Sequence, residues 1–477
     1  MPAIAQPAIP EIRVVGRALS PAANEPLFES TALSRTDLSR AAGLRLDDAL
    51  RTVPGFGLFR RQSSRAAHPT TQGVTLRGLG PSGAGRTLVL LDGVPQNDAF
   101  GGWIDWSRLP AGLINNATIT RGGGAGAWGN AALAGVIRLD GRAPDPGRGW
   151  IDARGGTDAT YSGAAAGSLA VGGAAATASL FGHDTGGGFL IGRSQRGPVD
   201  RRTANRGGGG ALVVTGAVDQ ATRVTVRAGY SEDRLTNGLD LARSRARVAD
   251  ASASLVNDAG PDATSWQVNA YVRDQAFRAV FAGVNAARTV ATPALDQFAV
   301  PASAVGANLI VRRPVSPALT LDLGGDVRHA DGTTNERFQF VGQGFTRRRE
   351  AGGEQTLAGG FAEATWTPAP DLLLTAGGRI DAWRQHDGRR RETDIATGAT
   401  LRDDRFAATD GVVGNVRAGA RAEFAGGWAV RAVAYSGFRV PTLNELYRPF
   451  RVGNDITEAN PALTPERLYG GDLGVDG

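Results

Sequence analysis

Residues 74–98 read VTLRGLGPSGAGRTLVLLDGVPQND, and residues 114–139 read INNATITRGGGAGAWGNAALAGVIRL. Both are short apolar runs closed by glycines. Within the first, Gly80 to Thr87 (GPSGAGRT) is one residue away from a phosphate-binding loop, with Arg86 where the lysine belongs. Such a loop cradles phosphate only where its glycines open a helix whose N-terminus points at the ligand. Here the residues that follow are β-prone and reach the Asp92-Gly93 turn within six positions, so no helix fits. The G-x-G-x-x-G matches at Gly78, Gly80 and Gly83 and at Gly124, Gly126 and Gly129 lack the same strand, turn and helix context. With 68 glycines in the chain, such matches arise by chance. A soluble nucleotide-binding protein is therefore the weakest alternative.

Composition narrows the class. There is no Cys, one Met and no Lys, so every basic side chain is Arg; the net charge is +6 and the sequence pI about 10.3. These charges alternate with Asp and Glu instead of forming a stripe, which argues against a nucleic-acid partner. No apolar run approaches the roughly 18 residues of a spanning helix. The four histidines, His68, His183, His329 and His386, stand at no ligand spacing to a carboxylate or to one another. With no thiol and no Ser/His/Asp order, the expectation is neither catalytic residue, metal site nor cofactor.

From Gly149 onward, segments of about ten residues alternate apolar and polar positions. Leu319, Leu321, Leu323 and Val327 would face one side, and Thr320, Asp322, Asp326 and Arg328 the other. Trp266, Val268, Ala270 and Val272 alternate likewise with Gln267, Asn269, Tyr271 and Arg273, as do Val224, Val226, Ala228 and Tyr230 with Arg223, Thr225 and Arg227. One-sided soluble sheets share this period, but a face rich in Arg and Asp cannot be a packed core and can line a wet lumen. Short turns such as Ala369-Pro370-Asp371 alternate with polar stretches, 330–354 and 384–410, that read as long outer loops. Ahead of this region, Leu44, Leu46, Ala49, Leu50 and Val53 share one face of a short helix that Pro54-Gly55 stops.

The order Leu76-Arg77-Gly78, Leu88 to Pro95, Ile119 to Gly122, Trp128-Gly129 and Ala134 to Leu139 resembles the plug domain of TonB-dependent outer-membrane receptors. Residues 437–447 (GFRVPTLNELY) and the later Asn460-Pro461, Leu463 and Pro465-Glu466 resemble barrel signatures of the same family. The resemblance implies a mainly β protein: an N-terminal segment (1–30), an α+β plug domain (31–142), and a transmembrane antiparallel β-barrel (149–477) enclosing the plug. It implies a strand-like TonB box at Glu11, Ile12, Arg13, Val14, Val15 and Gly16, ligand contacts from Arg60, Arg61, Arg65, Asn97, Phe100, Trp103 and Trp106, and pairing of Arg77 and Arg121 with the wall residues Glu363 and Glu423. The implied activity is active uptake of a siderophore, haem, cobalamin or similar ligand across the outer membrane of a Gram-negative bacterium. Its implied partners are TonB with its inner-membrane energising complex and the surrounding lipid; a passive porin-like channel is the alternative.

Two departures follow. Met1 to Pro10 lacks the charged and apolar regions of a secretion signal, although Ala3-Ile4-Ala5-Gln6 resembles the end of one. About 14 strands are counted after residue 148, against 22 in the family. Closed alone, 14 strands give a radius of about 14 Å, too small for a plug of about 18 Å, so further strands or an open sheet are expected.

Overall fold

The computed structural model describes residues 19, 22, 24–41, 45–60, 62–80, 82–124, 126–452 and 455–477. Residues 11–16, Leu44 and Arg61 lie outside these. The N-terminal body is built on a five-stranded sheet in the order Ser30–Ser34, Ile114–Arg121, Gly135–Gly141, Leu88–Leu91, Val94–Pro95. Leu88–Leu91 runs parallel to Gly135–Gly141, and the other neighbours are antiparallel. Asp92 (φ 51°) and Gly93 (φ 83°) both adopt left-handed backbone, which matches a two-residue hairpin turn of the primed kind. Gly93 is also pressed to the wall: a Cβ there would lie 2.6 Å from Asn269 Nδ2.

The helix expected from residue 44 is shorter, Leu46–Leu50, and buries Leu46, Ala49 and Leu50 against Val89, Ile119, Ile137 and Leu139. At Leu76-Arg77-Gly78 the chain leaves the sheet: the strand ends at Thr75, and Arg77 (φ 57°) and Gly78 (φ 66°) turn it away. That turn frees the Arg77 side chain to leave the sheet.

Fourteen consecutive antiparallel strands, from Gly149–Gly156 to Glu466–Asp476, form the second body, with Thr400–Arg405 pairing to one side of Leu372–Asp394. Among the described residues the two end strands pair on one side only. The sheet is apolar outward and polar inward. In Ser265–Val284 the inward Gln267, Asn269 and Arg273 are 4%, 1% and 2% exposed, whereas the outward Val268 and Val272 are 38% and 51% exposed. Water would drive the reverse arrangement, so the outer face requires an apolar solvent. Tyr161, Tyr230 and Tyr469 stand exposed towards one end of the wall, and Trp366, Phe424 and Trp428 towards the other, as in interfacial aromatic girdles.

At one end the turns are short, as between Val171 and Ala174 or Ala369 and Leu372. At the other, residues 330–354 and much of 384–410 are not irregular loops. Leu319–Val341 and Gly344–Ala369 continue as one hairpin, and Leu372–Asp394 continues beyond Arg384. Polar residues on both faces above the apolar level hide a period-2 pattern from the sequence.

Candidate functional site

Two plug loops, 62–71 and 97–106, reach the long-hairpin end and meet on one wall residue. His68 packs edge-on to Phe277 and tilted against Phe281, and Trp103 lies 6.4 Å from Phe277. Burial pushes the His68 imidazole down to about 3, with the Arg448 guanidinium adding to the effect. Asp98 caps its own loop by accepting the N–H groups of Phe100 (2.9 Å) and Gly101 (2.7 Å) and the Gln275 amide from the wall. Burial raises its carboxyl despite those bonds.

These packed loops do not form the expected aromatic and basic floor. Trp106 is 1% exposed inside the plug core, edge-on to Phe56 at 6.3 Å. Trp103 (6%) and Phe100 (1%) pack among Val300, Ala302, Leu443 and Tyr447. Asn97 is spent on its own loop, bonding Thr87, Val89 and Gly102. Arg65 lines a gap beside Arg45, Trp106 and His183, and Arg60 is exposed next to Phe59. Glycine-rich surroundings suggest exposure, whereas burial of an indole is decided by tertiary neighbours.

The plug is seated on the wall by charge. Arg45 bonds Asn205, lies 2.9 Å from His183 Nε2 and 3.4 Å from Asp233, and Asp233 is itself bonded by His183. Arg108 faces Asp250 at 3.4 Å, and Arg86 meets Glu466 at 2.8 Å. Burial lowers the Arg108 guanidinium from its ordinary value, partly offset by Asp250 and Asp105.

The partners expected for Arg77 and Arg121 are different ones. Arg77 bonds Asp472 of the last strand and, at 3.1 Å, Glu29; Arg121 pairs with Glu29 at 2.7 Å, within the plug. Glu363 instead holds Arg417 of its own wall and receives Asn24, while Glu423 pairs with Arg421. Glu363 stands level with Tyr435, over which Arg77 lies, but three strands away across the wall, through Gly377 and Arg417. No local pattern marks Arg45, Arg86 and Arg108 as partners of Asp233, Glu466 and Asp250.

The 437–447 stretch is a clamp. Val440 N–H donates to Asn130 Oδ1 (2.8 Å), the Gln355 and Gln385 amides donate to Pro441 O, and Asn444 N–H donates to Phe100 O (3.0 Å). Thr442 and Glu445 cap the helix Leu443–Tyr447 reciprocally, and Glu445 also binds Arg439 at 2.8 Å. Above it runs an alternating chain of charges, Arg448, Glu336, Arg349, Glu392, Arg390 and Glu458.

The histidines are not all scattered. Strand register brings His329, Glu354 and His386 together, with one potential ligand atom from each lying within 4.8 Å of the others. Spacings of 25 and 32 residues look meaningless until three adjacent strands are aligned.

The chain matches the TonB-dependent Receptor Plug Domain model over residues 24–136 and the TonB dependent receptor-like, beta-barrel model over residues 180–477. It is 31% identical over 115 residues to the vitamin B12 transporter BtuB of Vibrio vulnificus, a match spanning 24% of this chain and 18% of that transporter. In structure it is similar to the ferric yersiniabactin uptake receptor FyuA of Yersinia pestis (TM-score 0.73, 14% identity, 96% of this chain and 71% of that one). It is also similar to the copper transporter OprC (TM-score 0.75, 16% identity, 96% and 71%). With the barrel model alone matching more than half of its length, the chain belongs to the TonB-dependent receptor family.

Proposed function

We propose that this protein is an outer-membrane receptor that takes up a scarce, bulky ligand, such as a siderophore, haem, cobalamin or a similar cofactor. In this reading TonB, driven by its inner-membrane complex, pairs with residues 11–16 as an added strand and pulls the plug. The outer membrane has neither ATP nor an ion gradient of its own, so force must arrive through a partner. The observation that carries the reading is the ionic seat of Arg45, Arg86 and Arg108. Such a seat fixes position, yet its groups rehydrate when parted, which suits a plug that moves; a passive channel needs no plug at all.

Ligand chemistry is read from the charge chain at the mouth. The Arg390 side chain is 5% exposed, while its partner Glu458 is 60% exposed. An anionic ligand group replacing that loosely held carboxylate would find a desolvated guanidinium already in position. On the outer wall, Arg206, Arg234, Arg245 and Arg278 are direct cross-strand neighbours, a row of four like charges that Asp184 and Glu232 offset in part and that anionic lipid headgroups would relieve further.

Val14→Pro removes a backbone donor and fixes φ, so uptake of ligand by cells should fall to background while surface binding persists. Undiminished uptake would sink the proposal.

A further inference from the structure

The outer face of the wall carries a cluster unrelated to the plug. In Leu319–Val341 the outward apolar series runs through Leu323 and Val327, and His329 is the next outward residue. On the adjoining strands, Glu354 lies beyond the exposed Ala358, and His386 beyond Ile380 and Ala382. All three therefore sit just above the apolar band, on the long-hairpin side.

Their geometry is that of a ligand set. His329 Nε2 lies 3.5 Å and His386 Nδ1 3.8 Å from the same Glu354 oxygen. Donors bound tetrahedrally at 2.0–2.2 Å stand about 3.3–3.6 Å apart, so closing on an ion needs shifts of under about 1 Å. His329 Nδ1 is 2.9 Å from Thr356 Oγ1. A proton donated there leaves Nε2 as the free lone pair, the usual arrangement behind a metal-binding imidazole.

A second observation is independent of those distances. The wall is bulged here: Gly352 pairs with Arg389 and Glu354 with His386, leaving Asp387 and Gly388 opposite Gly353. Asp387 holds φ 53°, a left-handed backbone unusual for a non-glycine residue, and its carboxylate is 2.7 Å from His386 Nδ1. Bulges re-aim side chains, and such strain persists where something uses it.

We propose that His329 Nε2, Glu354 and His386 Nδ1 bind one divalent transition-metal ion, with Asp387 able to fill a fourth position. Two imidazoles and a carboxylate suit Zn2+, Cu2+ or Ni2+ and discriminate against the oxygen-loving Mg2+ and Ca2+. The ion would staple three neighbouring strands at the root of the long hairpins. This does not depend on the uptake reading.

The test is titration of the full chain, folded in detergent, with Co2+ as spectroscopic probe. One equivalent should give visible absorption bands that Zn2+ abolishes stoichiometrically and a large excess of Mg2+ or Ca2+ leaves intact. His329→Gln, Glu354→Gln and His386→Gln should each weaken binding by at least about tenfold. Glu350→Gln, on the same strand, should not. No stoichiometric binding, unchanged affinity in both histidine variants, or equal displacement by Mg2+ would overturn the site. Should a variant fail to fold, mass spectrometry of the unaltered chain after histidine acylation decides: Zn2+ must protect His329 and His386, and no protection refutes the site.

Discussion

The interior of the plug is uniformly apolar, whereas its seat on the wall sets ion pairs beside one apolar patch, where Phe100 and Trp103 meet Phe277, Val300 and Ala302. Inside, Leu46, Leu50, Trp106, Ile119, Ile137 and Leu139 are nearly dry and apolar. Burying each contributes roughly 1.5–3 kcal/mol without much demand on direction. At the seat, Arg45, Arg86 and Arg108 meet acids of the wall. Pairs of this kind, buried at Arg45 and Arg108 and half-buried at Arg86, add little net stability but are strict about geometry. Stability and placement of the plug are thereby set largely by different residues.

The sharpest way to break that comparison is to damage the core alone. Trp106→Ala should cost about 3–5 kcal/mol of plug stability, because a large cavity remains. Hydrogen exchange should then accelerate in Ile114–Arg121 and Gly135–Gly141 and stay slow in Ser265–Val284. Equal acceleration in both would mean that plug and wall unfold as one body.

Next comes the seat. Arg45→Ala leaves Asp233, whose side chain is 8% exposed, with only His183 and Asn205 as partners, and should weaken docking by roughly 1–3 kcal/mol. Protease sensitivity of the docked plug would report it, with the plug core still protected. Replacing both residues by Leu should restore much of the docking and, if release matters, slow uptake.

The smallest effect is a dependence on pH. With the docked His68 held at about 3 against about 6.5 when free, the released loop binds the proton more readily. Docking is therefore at full strength above pH 6.5 and weakens as pH falls, by about 1 kcal/mol between pH 7 and pH 5.5. Protease resistance of loop 62–71 measured at the two values should show it, and His68→Gln should flatten the profile.

The broad architecture was legible because alternation is local: Gln267 to Arg273 announces a two-faced strand within seven residues. The seat was not. Arg77 meets Asp472 across 395 positions, and nothing near either residue marks the other. The His329, Glu354 and His386 cluster was missed for the same reason, since only register reveals it. Trp106 misled because its loop setting resembles an exposed one, while its burial is set by Phe56 and the helix beneath. The TonB-box assignment rests on residues 11–16, outside the described residues.

The longest strands, Ala291–Ser316 and Gly344–Ala369, each run 26 residues. At about 3.3 Å per residue and a tilt near 40° they rise roughly 65 Å, against an apolar band of about 25 Å. The rim at Gly342-Gln343 therefore stands some tens of ångströms clear of the apolar band. Anything too large for the lumen would meet that rim before it could reach the plug.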